Sequence, residues 1–290
     1  MYRGYCVSRY GHAPSLAQLV KTRIMDSVDI SVVIPTHHRE KELLEAINSV
    51  LSQRGVTFEI IVVDDSAEGS ARNAVAKLGE PQVRYMLRST PSNGRPAHAC
   101  NEGAAVARGR YLYFLDDDDQ LVAGALAIMS KALDEAPAAG MAFGIIVPFG
   151  NDAAVLQHNQ VYFTEAGRIA RKLKGLRQLS ACLTFRSAIM VCSAGMARRS
   201  AFIAEGGFDA EIPVCEDSEM WARVAHRRGH IFIDQPVVRY RTGAPSLMHN
   251  LAKDDEKLHV SYRRIQGKYR QANGLLQFIA MKLWARVVLR

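Results

Sequence analysis

Three short apolar runs, each spilling into polar or acidic residues at its carboxyl end, constrain this chain most. Ile30–Pro35 (ISVVIP) runs into Thr36-His37-His38-Arg39, Phe58–Val63 into Asp64-Asp65-Ser66, and Tyr111–Leu115 (YLYFL) into Asp116-Asp117-Asp118-Asp119. The runs are nearly continuous in β-branched and aromatic residues, as strands covered on both faces require. Val83–Leu87 reads as another strand, and Met141–Val147 as a later one. Between them, Glu40–Gln53 sets Leu43, Leu44, Ile47, Val50 and Leu51 on one helical stripe, and Arg72–Leu78, Pro96–Ala107 and Leu121–Glu135 read as further helices. Alternation of this kind predicts an α/β fold with a mostly parallel, right-handed, doubly wound sheet. In such a sheet the three acidic ends share one edge, the edge at which ligands bind.

Four consecutive carboxylates repel one another unless a cation or hydrogen-bond donors compensate them. A hard divalent ion of the Mg²⁺ or Mn²⁺ type, its coordination shared with phosphates, meets that need. An Asp after a strand also serves as the N-cap of the next helix, and Asp119 before Leu121–Glu135 has that alternative. For the cluster as a whole, opposite Asp64-Asp65, the metal is the preferred reading.

The second half breaks the rhythm. Ala166–Ala204 carries eight Lys or Arg residues and no acid. Ile189–Met196 reads as a strand, Asp217–Arg228 as a helix, and Ile231–Asp234 and Val237–Arg241 as closing strands. The tail from Lys257 is basic and free of acids, and places Leu275, Phe278, Ile279, Lys282 and Arg286 at helical spacing. An interfacial helix on anionic lipid fits this pattern and is preferred, while docking on the core or on a second subunit gives the same spacing. Ser15–Met25 reads as a further short amphipathic helix.

Composition narrows the class. Of the 290 residues, 48% are hydrophobic and 23% charged, which excludes disordered and collagen-like chains. No apolar run approaches the ~20 residues of a membrane span, and the N-terminal stretch lacks the apolar core of a secretory signal. Five widely spaced cysteines without a CxxC pair argue for a reducing compartment, hence a cytoplasmic location. The formal charge of +8 favours anionic partners. Nucleic acid is not expected among them, because aromatic residues are not interleaved with the basic ones.

ISVVIPTHHRE, EIIVVDDSAEG, YLYFLDDDD and GGFDAEIPVCEDSEMWAR, in this order, resemble the nucleotide-sugar-dependent glycosyltransferases of family 2, which have the GT-A fold. The resemblance covers residues 30–241. It implies an N-terminal extension over 1–29, a nucleotide-binding half over 30–119, an acceptor half over 120–241 and a basic amphipathic extension over 242–290.

The resemblance also implies roles for single residues. Pro35, Thr36 and His37 line the nucleobase and ribose pocket, and Asp65 accepts a hydrogen bond from the base. Gly94 and Arg95 lie in a loop over the nucleotide. Arg39 and Asp117 assist nucleotide binding. Asp116 and Asp118 form the DxD motif, with Asp118 as direct metal ligand and Asp116 reaching the metal or the ribose. Asp217, beside Glu216, is the general base, against the alternative that one of the pair caps the following helix. Gly207 and Trp221 shape the acceptor side. Relatives often carry Arg where Cys100 stands, and a metal-binding His soon after a pair such as Tyr240-Arg241, for which His249 is the available substitute.

The implied reaction is inverting, metal-dependent transfer of one sugar to an acceptor hydroxyl, in surface glycan or glycolipid synthesis. Mn²⁺ or Mg²⁺ is the cofactor, and a nucleotide-diphosphate sugar the donor, with UDP expected ahead of GDP or dTDP. The acceptor is a glycan or a lipid-linked species, and Ala166–Ala204 is either a loop meeting an anionic acceptor or an ordinary solvated basic face. The enzyme is placed in the cytoplasm with peripheral contact at the inner face of the membrane. No QxxRW sequence follows Glu216-Asp217, as a processive synthase would require. Two rival readings are a metal-dependent nucleotidyltransferase, which lacks its glycine-rich loop in Thr36–Lys41, and a nucleotide-sugar-binding scaffold with a degenerate site.

Overall fold

The computed structural model describes residues 28–92, 94–175, 177–186, 189–243 and 255–288. The helix expected over Ser15–Met25, nearly all of the 1–29 extension, and His249 lie outside the described residues.

The first half forms as its sequence pattern requires. Strands β1 (Ile30–Thr36), β2 (Phe58–Asp64), β3 (Val83–Leu87) and β4 (Tyr111–Phe114) pair in parallel, in the order β3-β2-β1-β4. Helices α1 (Glu40–Leu51), α2 (Arg72–Leu78) and α3 (Pro96–Val106) make the crossovers. Helix α1 buries Leu43, Ala46, Ile47 and Val50 against the sheet. Helix α3 approaches closest, because a Cβ on Gly103 would stand 2.5 Å from Val33 Cγ1 and 3.1 Å from Val63 Cγ2. That contact carries the helix start, and the loop before it, up to the carboxyl edge of β1 and β2.

Beyond β4 the sheet becomes mixed. Strand β7 (Gly195–Arg198) runs antiparallel between β4 and β6 (Met141–Phe149). Strand β8 (His230–Arg241) lies parallel to β6, and β5 (Gln120–Leu121) pairs antiparallel with it at the edge. The complete order is β3-β2-β1-β4-β7-β6-β8-β5.

Several boundaries differ from the sequence reading. Helix α4 spans Ala125–Glu135 rather than starting at Leu121, because β8 captures Gln120 and Leu121 as a short edge strand. Gly124, at φ +80, then turns the chain into the helix. Ile189–Met196 is not a strand throughout. Cys192–Ala194 is a 3₁₀ turn and the extended chain begins at Gly195, so the segment is apolar because it is buried. The two closing strands are one, and Asp234-Gln235-Pro236 is absorbed as an irregularity opposite Gly144 and Ile145. Helices α5 (Ala153–Ala170) and α6 (Gln178–Phe185) had no counterpart in the sequence reading. Asp152 caps α5 by accepting from the Ala154 and Val155 N–H groups. Short α7 (Arg199–Ala204) and α8 (Glu216–Arg228) complete the second half.

Helix α9 (Asp255–Val288) breaks at Gly274 (φ 79, ψ 164). Its first part buries Ile265 and Tyr269. Past Gly274, Phe278 packs edge-on against Phe185 at 5.2 Å and Ala285 is fully buried. The tail therefore docks on the core through one side while Leu276, Leu283 and Val287 remain exposed. No helix among the described residues is long and apolar enough to cross a membrane.

Asp209 ties α9 to the loop ahead of α8, meeting Arg264 at 3.1 Å and Lys268 at 2.9 Å. Burial opposes its ionisation, but these two cations and the Glu211 N–H hold the carboxyl at about 2. A depressed carboxyl stabilises the fold above its unfolded value, and the contribution disappears as pH falls from about 4 to about 2. Asp209→Asn should lower stability at pH 6 by about 1–2 kcal/mol. It should also flatten the acid limb of stability in that window, as measured by urea unfolding across pH.

Candidate active site

The carboxyl ends of β1, β2 and β4 meet at one edge, and hydrogen bonds lock the β1 end to the β4 end. Thr36 Oγ1 donates to Asp117 Oδ2 at 2.8 Å. Arg39 donates from Nη1 to Asp118 Oδ2 at 2.6 Å and to Asp117 Oδ1 at 3.2 Å. His38, at φ 56, supplies the left-handed turn that brings Arg39 back over the acids. His37 stands edge-on to His38 at 4.3 Å, and a Cβ on Gly94 would lie 3.4 Å from its Nδ1. Pro35 sits one step deeper, buried in β1 opposite Val63, so it shapes the strand end and presents no open surface.

Asp65 is the organiser of the neighbouring loop. It accepts from the Arg88 guanidinium, from Ser92 N and Oγ (both 2.9 Å), and from Gly94 N at 2.7 Å. A carboxylate offers about four acceptor positions, and these donors take them. Burial opposes ionisation, yet the Ser92, Arg88 and Gly94 donors hold the carboxyl below its usual range. Arg95 follows as the extended N-cap residue of α3, with its side chain exposed.

The run after β4 is different, because its charges are poorly compensated. Burial, then Asp118, Asp217 and Asp117, push the Asp116 carboxyl up to about 8. Burial lifts Asp117 to about 6 although Arg39 pulls the other way. Asp119 is buried, and burial together with Asp116 and Asp118 drives its carboxyl well up. It does not cap the next helix, whose N-cap position is Gly124; instead its Oδ1 accepts from Arg241 N at 2.9 Å.

From the other half, the first turn of α8 faces this run. Cys215, left-handed at φ 62, occupies the N-cap position without a side-chain cap, so neither Glu216 nor Asp217 fills that role. Asp217 Oδ1 accepts from the Ser218 N–H at 2.6 Å. Burial, then Asp217 and Asp116, raise Glu216 to about 8, and burial raises Asp217 as well. Asp116, Asp217 and Glu216 are thus close enough to feel one another's charge, across 100 residues of intervening sequence.

Other residues support the site without an evident sequence signal. Asp116 N donates to Ser193 Oγ at 3.0 Å, and the Tyr113 hydroxyl donates to the Ser193 carbonyl. Arg241 reaches the Asp118 carbonyl from Nε at 2.8 Å and Glu45 from Nη2 at 2.5 Å, bracing the acidic loop. Its place in the Tyr240-Arg241 pair was the one available clue. Cys100 is buried behind the acids.

Two acceptor-side expectations are corrected. Trp221 is fully buried, stacked toward Phe114 at 6.4 Å and under Gly195, so it belongs to the core and cannot meet an acceptor. Gly207 (φ +69) is a fastening point, since a Cβ there would lie 2.6 Å from Asn101 Oδ1. Asn101 needs that space to bridge Phe208 N and O, both at 2.9 Å. Several cations of the basic stretch are engaged by the fold itself. Arg168 pairs with Glu165, Arg171 with Asp234, and Arg198 donates to the Ala139 and Leu133 carbonyls.

The acidic run fits a hard divalent cation. Among the described residues no group of three His, Cys, Asp or Glu side chains is placed to hold a metal ion by itself. A Mg²⁺-like ion needs only one or two carboxylates, with phosphate oxygens and water completing its shell. The crowded Asp116 and Asp118 carboxylates are of the right chemistry, and Asp119 Oδ2 is buried with no donor aligned on it.

Residues 31–204 match the family model Glycosyl transferase family 2. The chain belongs to glycosyltransferase family 2. An uncharacterized protein of Mycobacterium tuberculosis, MT1568, is 31% identical over 74% of this chain and 68% of its own length. The GalNAc(5)-diNAcBac-PP-undecaprenol beta-1,3-glucosyltransferase of Campylobacter jejuni is 34% identical over 37% of this chain. The match spans 35% of that enzyme's length. Among solved structures, Staphylococcus aureus TarS 1-349 in complex with UDP-GlcNAc superposes with a TM-score of 0.66 at 18% identity, covering 89% of this chain and 71% of TarS 1-349. The mannosyltransferase PcManGT of Pyrobaculum calidifontis, in complex with GDP-Man and Mn²⁺, gives 0.62 at 16% identity, covering 91% and 70%. At such identities the likeness establishes the fold, which for this glycosyltransferase is GT-A.

Because Arg88 is 5% exposed on its side chain, Asp65→Ala strands a buried guanidinium on Glu102 alone. The expected cost is about 3 kcal/mol in urea unfolding. Faster amide exchange at Ser92 and Gly94 should accompany it, and unchanged exchange there would contradict the organising role of Asp65.

Proposed function

We propose that this glycosyltransferase moves a single sugar, with inversion, from a nucleotide-diphosphate sugar to an acceptor hydroxyl with the help of Mn²⁺ or Mg²⁺. The observation that carries the reading is the meeting of Asp116, from the end of β4, with Asp217 and Glu216 from the first turn of α8. A nucleotide-facing acid run and an acceptor-facing carboxylate pair share one cleft edge, as direct displacement at an anomeric carbon requires.

Asp116 and Asp118 would hold the cation, which when bound neutralises charge on the leaving diphosphate. Asp217 removes the proton from the acceptor hydroxyl as it attacks from the face opposite the leaving group. Glu216 beside it adds negative charge that raises the proton affinity of the pair. His37, under Gly94, offers a ring face to the base, Thr36 ends the strand at the pocket with Pro35 buried one step deeper, and Asp65 meets the base by exchanging one of its loop donors. Arg39 and Asp117 form a linked pair at the phosphate end, and Arg95 stands exposed at the start of α3 to meet the same ligand.

The relatives support a nucleotide-sugar donor. TarS is described with UDP-GlcNAc and PcManGT with GDP-Man and Mn²⁺, and UDP is expected ahead of GDP or dTDP here. The Campylobacter relative, named for an undecaprenol-linked acceptor, supports a glycan or lipid-linked acceptor and a role in surface glycan or glycolipid synthesis. Leu276, Leu283 and Val287, exposed along the last turns of α9 with Lys282 and Arg286 on the same helix, favour peripheral contact with anionic lipid at the cytoplasmic face.

The test is calorimetric titration of UDP and GDP with Mn²⁺ and with EDTA, on wild type and Asp118→Ala. One nucleotide should bind in Mn²⁺ and lose at least about tenfold in affinity, about 1.4 kcal/mol, in EDTA or in the variant. Absence of binding by a folded wild-type protein would overturn the reading. Asp217→Asn should keep nucleotide affinity while reducing transfer by about 10²–10⁴-fold, the range of a general base.

A further inference from the structure

Asp118 is gripped at both ends by arginines, and the two grips differ in kind. Arg241 donates from Nε to the Asp118 carbonyl at 2.8 Å and is itself anchored on Glu45 at 2.5 Å, so that contact fixes the course of the acidic loop. Arg39 takes the side chain instead. Its Nη1 lies 2.6 Å from Asp118 Oδ2 and 3.2 Å from Asp117 Oδ1. The shorter of these is a close charge-assisted hydrogen bond. Asp117 is held in turn by Thr36 Oγ1 at 2.8 Å, which leaves Asp118 as the carboxylate that depends most on the guanidinium.

The backbone is bent to put Arg39 there. Arg39 stands at the N-cap position of α1, and His38 ahead of it is one of two non-glycine residues at positive φ among the described residues. A residue with a Cβ adopts that conformation at a cost in strain, which chains retain where the surroundings or the function require it. Arg39 is also the more open partner of the pair. Its side chain is 31% exposed against 14% for Asp118, so the guanidinium can change partners without crossing the core.

Two positive groups on one carboxylate oxygen repel each other, so the Arg39 contact and a divalent cation on Asp118 Oδ2 are opposed. A diphosphate changes that balance. Phosphate oxygens joined to a cation on Asp118 lie within about 4 Å of the carboxylate, two metal–oxygen bonds away, and so within reach of a guanidinium already placed on it. The planar fork of arginine suits phosphate oxygens well. Building on the metal-dependent reading above, we propose that Arg39 makes cation binding conditional on the diphosphate, opposing a cation at Asp118 until phosphate oxygens take the guanidinium over. The exchange leaves every charge partnered: Asp118 passes from guanidinium to cation, and the guanidinium passes from carboxylate to phosphate. Such coupling is reciprocal, so cation and nucleotide raise each other's affinity by one factor. A shared coordination shell also couples the two, but it yields no gain in cation affinity when Arg39 is removed.

The experiment is Mn²⁺ binding to the full chain, read from the electron paramagnetic resonance of the free ion, without nucleotide, with UDP and with GDP. Arg39→Gln and Arg39→Met remove the charge, and either serves if it melts as the wild type does. Wild type should bind Mn²⁺ at least about tenfold more tightly with one of the nucleotides than without. A charge-free variant should bind Mn²⁺ alone about five- to tenfold more tightly than wild type, and the tightening by nucleotide should shrink by at least that factor. Arg39→Lys, which keeps the charge, should leave Mn²⁺ alone bound as weakly as in wild type. A residue that merely shaped the loop would give the opposite sign, with Mn²⁺ held more weakly once it is removed. The proposal is overturned if a folded charge-free variant binds Mn²⁺ alone no more tightly than wild type, or if Arg39→Lys gains as much as Arg39→Gln. Failure of wild type to bind Mn²⁺ with either nucleotide would bring down the metal-dependent reading and this role together.

Discussion

Repulsion among the carboxylates at the carboxyl edge of the sheet is the constraint around which the molecule is arranged. Asp116, Asp117, Asp118 and Asp119 follow one another at the end of a buried strand, and Glu216 and Asp217 are brought up against them from the second half. The fold tolerates this through a small set of donors: Arg39 and Thr36 on Asp117 and Asp118, the Arg241 N–H on Asp119, and the Ser193 side chain on the Asp116 carboxyl. Burial, with compensation incomplete, lifts carboxyls there as high as about 8. A site left in that condition gains when positive charge arrives, and the chemistry of a leaving diphosphate calls for such charge in the same place.

Other buried carboxylates in the same sheet show the contrast. Asp64 accepts from Ser66 N and Oγ, from Ala71 N and from the Tyr85 hydroxyl. Glu59 accepts from Ser31, Arg84 and Arg108, and although burial opposes it these donors hold it below the usual range. Asp65 is satisfied by four donors from its own side of the cleft. Satisfied carboxylates secure loops and strand ends, whereas the crowded ones keep charge that the fold does not fully compensate. Asp64-Asp65 and Asp116–Asp119 are strand-end runs of similar appearance, and only their surroundings separate the two classes.

The two halves are held in register by contacts of equally ordinary chemistry. Asn101, on α3 in the first half, bridges Phe208 in the loop ahead of α8, and Gly207, left-handed and without a Cβ, leaves room for it. Asp209 then hands the same loop to α9 through Arg264 and Lys268. Through this chain of contacts α9 is fastened to the loop ahead of α8, although in sequence it looks like an appended tail. Its exposed Leu276, Leu283 and Val287 lie past the break at Gly274.

Much of the donor half was legible in the linear chain. Continuous apolar runs ending in acids identified β1, β2 and β4 and their common edge, because strand burial and parallel crossover leave few alternatives, and the ordered motifs placed Asp116 and Asp217 in one site. The second half was not legible to the same degree. Cys192–Ala194 is apolar through burial and not through extension, Gln120–Leu121 is a strand only because β8 pairs with it, and α5 mixes polar and apolar residues. Trp221, expected to shape the acceptor side, is core, while Ser193 and Arg241 acquire meaning only from their neighbours. Local patterning specifies which segments are strands and where their charges fall. Which carboxylates end up satisfied, and which are left crowded, depends on donors arriving from more than a hundred residues away, such as Arg241 on Asp119.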